Sequence, residues 1–429
     1  MREAPYDCLV IGGGPVGCLL TLALVRQGAR VLLVDPQAAG ARSDDLRGLA
    51  MATASIRVLD ALGICARLAG VMRPVDSILV ADQGGPGVIL LRAGDAGLDE
   101  LGRVVPAGAL QGALEAAVAD LPGDLCDLRR GAQVSAVACE PASMRVEIEG
   151  PEGRTAVQAR LVVLADGGRS PLRERFGFQI DSAPYAQAAV VCTLTPARHP
   201  GRRAIEVLTR SGPLAVLPAP EGRVTIVRCV ASNDLSDALG QGDREWCASL
   251  TALLGRRLGA LSAPGPRQGY PIVQSLATPA WRGRLLLLGA ALRTFHPNGA
   301  QGLNLSIRDI AALTEAVVTA LHAGGDPGAD IRLDAFTRER IVDQRITAAL
   351  ANTLWWTTSR DLPGAGLARA AGMAAINLCA PLKQRLVLRA AGLAGTLPRL
   401  LRGAPLPMLG SGLCGHAPHP ASTLPKQPA

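Results

Sequence analysis

The chain has 429 residues, 48% of them apolar and 19% charged, with a formal charge of +8; this length supports two substantial domains, each with its own core. Aromatic residues make up only 3%, too few for a base-stacking surface, so the positive charge does not signal nucleic acid. The ten cysteines show no C-x-x-C spacing, and Cys8, Cys18, Cys192 and Cys229 fall in apolar runs, as reduced core thiols of a cytoplasmic protein do; five scattered histidines give no metal signature.

Residues 7–35, DCLVIGGGPVGCLLTLALVRQGARVLLVD, read as strand, glycine turn, helix and second strand. Gly12, Gly14 and Gly17 fit G-x-G-x-x-G, and Pro15 presets φ in the first helical turn. The first glycine permits the tight turn, the second lets a pyrophosphate approach the backbone, and the third lets helix and strand pack closely. Asp35, closing the second strand, can accept hydrogen bonds from an unphosphorylated ribose, which points to FAD or NAD rather than NADP. The uncharged stretch 8–25 is also long enough for a membrane span. Against that, Arg2, Glu3 and Asp7 lack the positive bias of a signal peptide, and the glycines and proline fall at functional spacing.

Further along, a polar loop at 36–45 precedes Arg47 and a helix over 55–68 behind Thr53. Residues 77–91 form a hairpin pattern, and 109–119 a helix carrying Gln111. Residues 133–149 alternate like a strand, and the apolar strand 160–165 ends in Asp166-Gly167. Three strand-like runs with intervening turns over 186–231 predict a largely antiparallel second domain. Helix is expected over 244–258, strand over 269–274, and a four-leucine strand over 285–288 ending in Gly289. A glycine-rich turn then feeds a long helix starting near Leu303; 333–402 is helical with breaks at Pro363, Pro381 and Pro398, and the tail beyond Gly403 is expected to be disordered.

Three stretches combine: GGGPVG with Asp35, LVVLADGGRSPLR at 161–173, and LLLLGAALRTFHPNGAQGLNLSIRD at 285–309. Together they resemble the single-component, FAD-dependent aromatic hydroxylases of the p-hydroxybenzoate hydroxylase type. DDLRGLAMATASIRVLDALGI, LGRVV, PYAQAAVV, LTRSGPLAVLP, REWCASLTALLGRRLG and GLAGTLPRLLRG are similar to segments of that family's ubiquinone-biosynthesis branch, and the similarity runs over about residues 6–403.

The resemblance implies an α/β fold: a Rossmann-like FAD-binding domain with a βαβ start and a mixed parallel sheet, an inserted antiparallel-sheet substrate domain and a C-terminal helical region. The expected boundaries are 1–75, 109–182 and 281–332 for FAD binding, 76–108 and 183–280 for substrate, 333–403 for the helices and 404–429 for the tail. Gly12, Gly14, Gly17 and Asp35 would hold the ADP half of FAD, Arg47 the flavin side and Gln111 the ribityl chain. Asp166 and Gly167 would lie by the pyrophosphate, Gly289 would open the Gly-Asp position, and Pro297, Gln301, Gly302, Leu303 and Asn304 would lie against the isoalloxazine. The activity implied is hydroxylation of a polyprenylated phenol in ubiquinone biosynthesis, using NAD(P)H and O2 through a flavin C4a-hydroperoxide; no catalytic acid or base is identified.

Three departures stand out: the family's Gly-Asp is Gly289-Ala290, its following His is Arg293, and the first Gly of Gly-Gln-Gly is Ala300. They motivate a second reading, a flavin-poor, non-catalytic subunit of a quinone-biosynthesis complex; another flavin oxidoreductase on this fold is a third. From residue 360 onward the chain carries eight Lys or Arg and one acid. Lys383, Arg385, Arg389, Arg399 and Arg402 interleave with Leu382, Leu386, Val387, Leu388, Leu400 and Leu401. That pattern suits peripheral contact with an anionic inner membrane from the cytoplasm, and equally a helix packed on its own domain or on an acidic partner.

Overall fold

A strand covered on both faces needs an unbroken apolar run, and Tyr6–Ile11 supplies one: Cys8, Leu9 and Val10 are wholly buried at the centre of a sheet. The computed structural model describes residues 4–83, 85–358, 364–406 and 409. Tyr6–Ile11 pairs in parallel with Val31–Asp35 and with the end of Gly153–Leu164. Leu285–Leu287 and Cys126–Arg130 continue the parallel order on the two sides. The antiparallel strands Gln133–Cys139 and Met144–Gly150 extend from the first half of Gly153–Leu164 and make the sheet mixed. Helix Pro15–Val25 is buried along most of its length between Ala107–Ala119 and Gln301–His322, which explains its lack of a polar face.

A separate, mainly antiparallel sheet has nine strands among the described residues, running from Arg293–Thr294 and Gln268–Thr278 at one edge to Ser77–Asp82 and Val88–Arg92 at the other. One face packs Val190, Cys192, Ile205 and Ile226 against Trp246 and Leu250 of helix Asp243–Leu254. The other carries Tyr185, Ala189, Cys229 and Ile272. The α/β class, the mixed parallel sheet, the separate antiparallel sheet and the C-terminal helices therefore stand as expected.

The details differ where a local breaker was misread. The helix expected over 55–68 is Thr53–Ala61 followed by Ile64–Arg67, because Gly63 takes φ +63° and ends the first turn series. The alternating stretch 133–149 breaks into two strands, Gln133–Cys139 and Met144–Gly150. Four strands, not three, fill 179–231, since the short turn after Thr209 separates Arg203–Thr209 from Gly212–Pro218. The break expected at Pro381 falls at Cys379, between Ala365–Leu378 and Ala380–Ala390, and Pro381 sits in the first turn of the second helix, where its missing N–H costs nothing. Gly48–Ala52, Arg73–Val75 and Gly102–Pro106 form a small third sheet that no alternation announced.

Helix Asp330–Thr358 is fixed to Gln301–His322 by buried charges: Arg340 Nε donates to Asp309 Oδ1 at 2.7 Å and Gln344 Nε2 to Asp309 Oδ2 at 2.9 Å. The break expected at Pro363 and the tail from residue 410 onward lie outside the described residues. The mixed basic and leucine pattern at 382–402 is largely committed to the protein, leaving Leu382 and Arg385 exposed. Val387, Leu400 and Leu401 are buried, Leu386 packs on the sheet edge, and Lys383 pairs with Asp95 at 3.1 Å. Among the described residues, no helix is long and apolar enough to cross a membrane, and no group of side chains could hold a metal ion. Cys8, Cys18, Cys192 and Cys229 are buried free thiols.

Candidate functional site

The three glycines of the first turn serve different masters. A Cβ on Gly17 would lie 1.8 Å from the Gly12 carbonyl oxygen, and Gly12, at φ +108°, would put one 2.6 Å from Asp166 Cα. Both are demanded by the protein's own packing. A Cβ on Gly14 would meet nothing within 4 Å. The protein does not need a glycine there, so the open space in front of Gly14 is what a ligand would use. Gly14 also caps helix Pro15–Val25 without a side-chain bond, leaving N–H groups whose partial positive charge suits a phosphate.

Asp35 lies at the end of its strand and is 1% exposed. Its oxygens accept from the Gly13 N–H, from the Gln37 N–H at 2.7 Å, and from Arg42 Nη2 at 2.9 Å. Arg42 Nη2 also reaches Oδ1 at 3.2 Å, so the roughly four lone-pair sites of the carboxylate carry four contacts, and a ribose hydroxyl would have to take over part of the shared Arg42 contact. Asp166 stands at the end of Gly153–Leu164, against Gly12, with its Oδ1 buried and unpartnered. Burial pushes its carboxyl up to about 6, against the opposing pull of Ser170 and Arg173. Gly167, at φ +97°, turns the chain there, and Arg173 ties that turn to the next loop by donating to Gly168 O at 2.5 Å and Ala291 O at 3.4 Å.

A cavity of about 760 Å³ opens beside this turn, within the range of cofactor sites. Arg42, Arg47 and Gln111 line one wall and Ala290, Gly302 and Leu303 another. Arg47 forms a two-pronged pair with Asp45, with its guanidinium 5.1 Å from the Tyr270 ring centre. Burial raises the Asp45 carboxyl, but the Arg47 hydrogen bonds outweigh it and hold the group below its usual range. Gln111 Nε2 donates to Gly13 O at 2.8 Å and Glu115 Oε1 at 2.7 Å, while its Oε1 is buried without a partner.

Gly289, at φ +64°, seats its loop on Val16, where a Cβ would come within 3.1 Å. The third motif is thereby brought onto the first, with the Ala290 methyl on the cavity wall where the family carries a carboxylate. Pro297 precedes a short 3-10 turn, Asn298–Ala300, and Ala300 takes φ +51° at the cap of Gln301–His322. Gln301 turns back to Gly299 O at 3.0 Å. Asn304 is buried with every hydrogen bond spent on the scaffold: Oδ1 accepts from the Ala52 N–H (2.8 Å) and Ser55 Oγ (2.7 Å), and Nδ2 donates to Ala50 O (2.9 Å) and Ala300 O (2.8 Å). Its side chain positions the helix start; only Gly302 and Leu303 of this group line the cavity.

Sequence reasoning passed over Arg42, Ser306 and Gln187; it weighed Tyr185 and His296 as pocket residues without joining them, and the structure brings both together with Gln187. His296 Nε2 lies 2.9 Å from Gln187 Oε1, the His296 backbone N–H donates to the Tyr185 hydroxyl at 3.1 Å, and the Tyr185 and His296 rings meet edge-on at 5.0 Å. Burial pushes the imidazole down to about 4, so it is neutral at physiological pH. Scarcity of aromatics flagged Tyr185, Tyr270 and Phe295, and the last two line the cavity; nothing local flagged Gln187. The open front of Gly14, the unpartnered Asp166 and Gln111 oxygens and the helix starts fit a flavin dinucleotide.

The comparisons agree with that chemistry. The family described as "FAD binding domain" matches residues 5–351. The chain is 34% identical over 406 residues to ubiquinone hydroxylase UbiL of Rhodospirillum rubrum, covering 93% of each. It is 25% identical over 398 residues to 3-demethoxyubiquinol 3-hydroxylase of Escherichia coli, covering 92% of this chain and all of that one. Among solved structures it is similar to p-nitrophenol 4-monooxygenase PnpA from Pseudomonas putida, with a TM-score of 0.73 at 19% identity over 92% of this chain and 99% of that one.

Proposed function

The chain belongs to the FAD binding domain family, and on that footing we propose that it is an FAD-dependent monooxygenase hydroxylating the ring of a polyprenylated phenol in ubiquinone biosynthesis, with NAD(P)H as reductant. The observation that carries this reading is the cavity running from Pro15 and Val16, beside the open Gly14, to Gly302 and Leu303 at the start of helix Gln301–His322. Bound FAD would supply the activation of O2 and the transfer of oxygen to the ring. The protein's part is positional. The turn shaped by Gly12 and Gly17 and open at Gly14, with Asp35 sharing its Arg42 contact, would hold the adenosine end, Gln111 Oε1 would accept from the ribityl chain, and Asp166 would lie at the diphosphate. The N–H groups at Gly302 and Leu303 would face the flavin edge that becomes anionic on reduction, without having to move. Tyr270 and Phe295 would hold the phenol ring and keep water out. The division into FAD-binding segments 1–75, 109–182 and 281–332 and substrate segments 76–108 and 183–280 belongs to the same reading.

A prenylated substrate partitions into lipid, which places the protein at an inner-membrane surface or beside partners of a quinone-biosynthesis complex. Ala290 favours one competing reading, a flavin-poor subunit of such a complex, because its methyl cannot accept from the ribityl chain. The visible spectrum of the purified protein separates the two. Flavin bands that bleach on adding NAD(P)H and a prenylated phenol support the enzyme; a colourless protein that still restores ubiquinone synthesis to a deletion strain supports the subunit.

A further inference from the structure

Helix Ala365–Leu378 has one face spent on the protein and one that, among the described residues, packs on nothing. Toward the sheet, Arg369 pairs with Asp82 at 3.0 Å, Met373 is 7% exposed, and Asn377 Nδ2 donates to Val88 O at 2.6 Å. On the other side, steps of four, three and four residues line up Leu367, Ala371, Ala374 and Leu378. Leu367 is 74% exposed and Leu378 87%. The following helix, Ala380–Ala390, extends this surface with Leu382, 42% exposed, and an exposed Arg385. Neither helix contains an acid, and the sequence has no Asp or Glu after Asp361 against seven Lys or Arg.

A helix face exposed to water ordinarily carries charge; an uninterrupted apolar stripe marks an interaction surface. An acidic protein partner would need cations along the stripe itself, whereas here the stripe is uncharged and the exposed cation stands at its end. That is the arrangement of a helix lying in the plane of a bilayer interface, apolar side toward the acyl chains and cations among anionic headgroups. At about 1.5 Å per residue, these 14 residues are too short to span a membrane and long enough to lie on one. We infer that the exposed faces of Ala365–Leu378 and Ala380–Ala390 form a docking surface for an anionic lipid bilayer. The surface covers Ser77–Asp82 and Val88–Arg92, the sheet edge opposite the cavity strand Gln268–Thr278.

Attachment requires neither flavin nor a particular ring, so this inference and the proposed reaction fail separately. Flotation of the full chain with vesicles of phosphatidylcholine, with and without phosphatidylglycerol, tests it. The protein should float with the anionic vesicles and release as salt rises. L367E/L378E should lower the bound fraction by about tenfold or more, and R385E should weaken binding to the anionic vesicles alone. Should the double variant fail to fold by circular dichroism, L378S carries the same test. Absence of flotation, or flotation unchanged by substitution of the two leucines, overturns the inference. So does a dimer that L367E/L378E converts to monomer without affecting flotation, because the stripe would then belong to a second copy of the chain.

Discussion

Gly14→Ala and Gly17→Ala add one methyl each to the same turn, and the structure predicts opposite phenotypes. At position 17 the new carbon would sit 1.8 Å from the Gly12 carbonyl oxygen and 3.3 Å from Val10 Cγ1. Non-bonded heavy atoms rest at roughly 3.5 Å, so helix and strand would have to separate by more than an ångström between layers that are wholly buried. Overpacking of that kind belongs at the upper end of its range, about 3 kcal/mol or more, against a total stability of about 5–15 kcal/mol. At position 14 the backbone has φ −71° and ψ −178°, open to any residue, and the new carbon touches nothing. Only the cap preference is lost, about 0.5–1 kcal/mol. The methyl does enter the space where a diphosphate approaches, and FAD affinity should fall at least about tenfold, or about 1.4 kcal/mol. Urea denaturation followed by circular dichroism reads the first effect, and titration of the apoprotein with FAD by flavin fluorescence the second. A Gly17→Ala protein with the wild-type midpoint, or a Gly14→Ala protein that binds FAD as tightly as wild type, would refute the reasoning.

Asn304→Ala removes four hydrogen bonds and strands the Ala52 N–H and Ala50 carbonyl; it should cost about 2–4 kcal/mol in urea denaturation, and a loss near zero would mean the helix start is held by something else. Ala290→Asp should tighten FAD by up to about tenfold if the ribityl chain passes that wall; equilibrium titration giving no change would redirect the cofactor. For Asp166, the folded protein raises the carboxyl from 3.8 to about 6, so its stabilising contribution is complete below the unfolded value and disappears as pH rises through about 6. Asp166→Asn, neutral throughout, should therefore gain on the wild-type apoprotein between pH 4 and 8, by up to about 2 kcal/mol after allowance for partial exposure. Denaturation at several pH values showing a constant difference would contradict that assignment.

The central sheet was legible because burial on both faces leaves a mark on every residue of a strand: 8–11 and 31–34 admit no polar side chain. The glycine turn was legible because its constraints are local, three positions deciding one bend. What stayed hidden depends on pairs distant along the chain. Nothing near Asn304 announces that its partners are Ala50, Ala52 and Ser55, or near Asp82 that Arg369 will close on it. The basic and leucine-rich stretch 382–402 was only partly legible for the same reason. Its spacing is compatible with a lipid-facing helix, yet Asp95 takes Lys383 and the sheet edge takes Val387, and the exposed apolar stripe lies one helix earlier.

The side chains that would contact the cofactor are already committed to the protein. Asp35 carries Gly13, Gln37 and Arg42; Arg47 carries Asp45; Gln111 spends its amide protons on Gly13 and Glu115. Beyond the Gln111 Oε1 acceptor and the remaining N–H groups of Arg47 they have little left to offer. The larger share of the hold would then come from the backbone N–H groups of Gly14 and Val16 and those of Gly302 and Leu303, which are fixed by packing and carry the partial charge of a helix end. A site of that kind tolerates the exchange of a carboxylate for Ala290, since one side-chain hydrogen bond is worth about 0.5–1.5 kcal/mol. It does not tolerate displacement of the helices themselves. That difference explains why the glycines at 12, 17 and 289, each in close contact with a neighbouring element, match the family pattern in this chain while the acceptor at 290 does not.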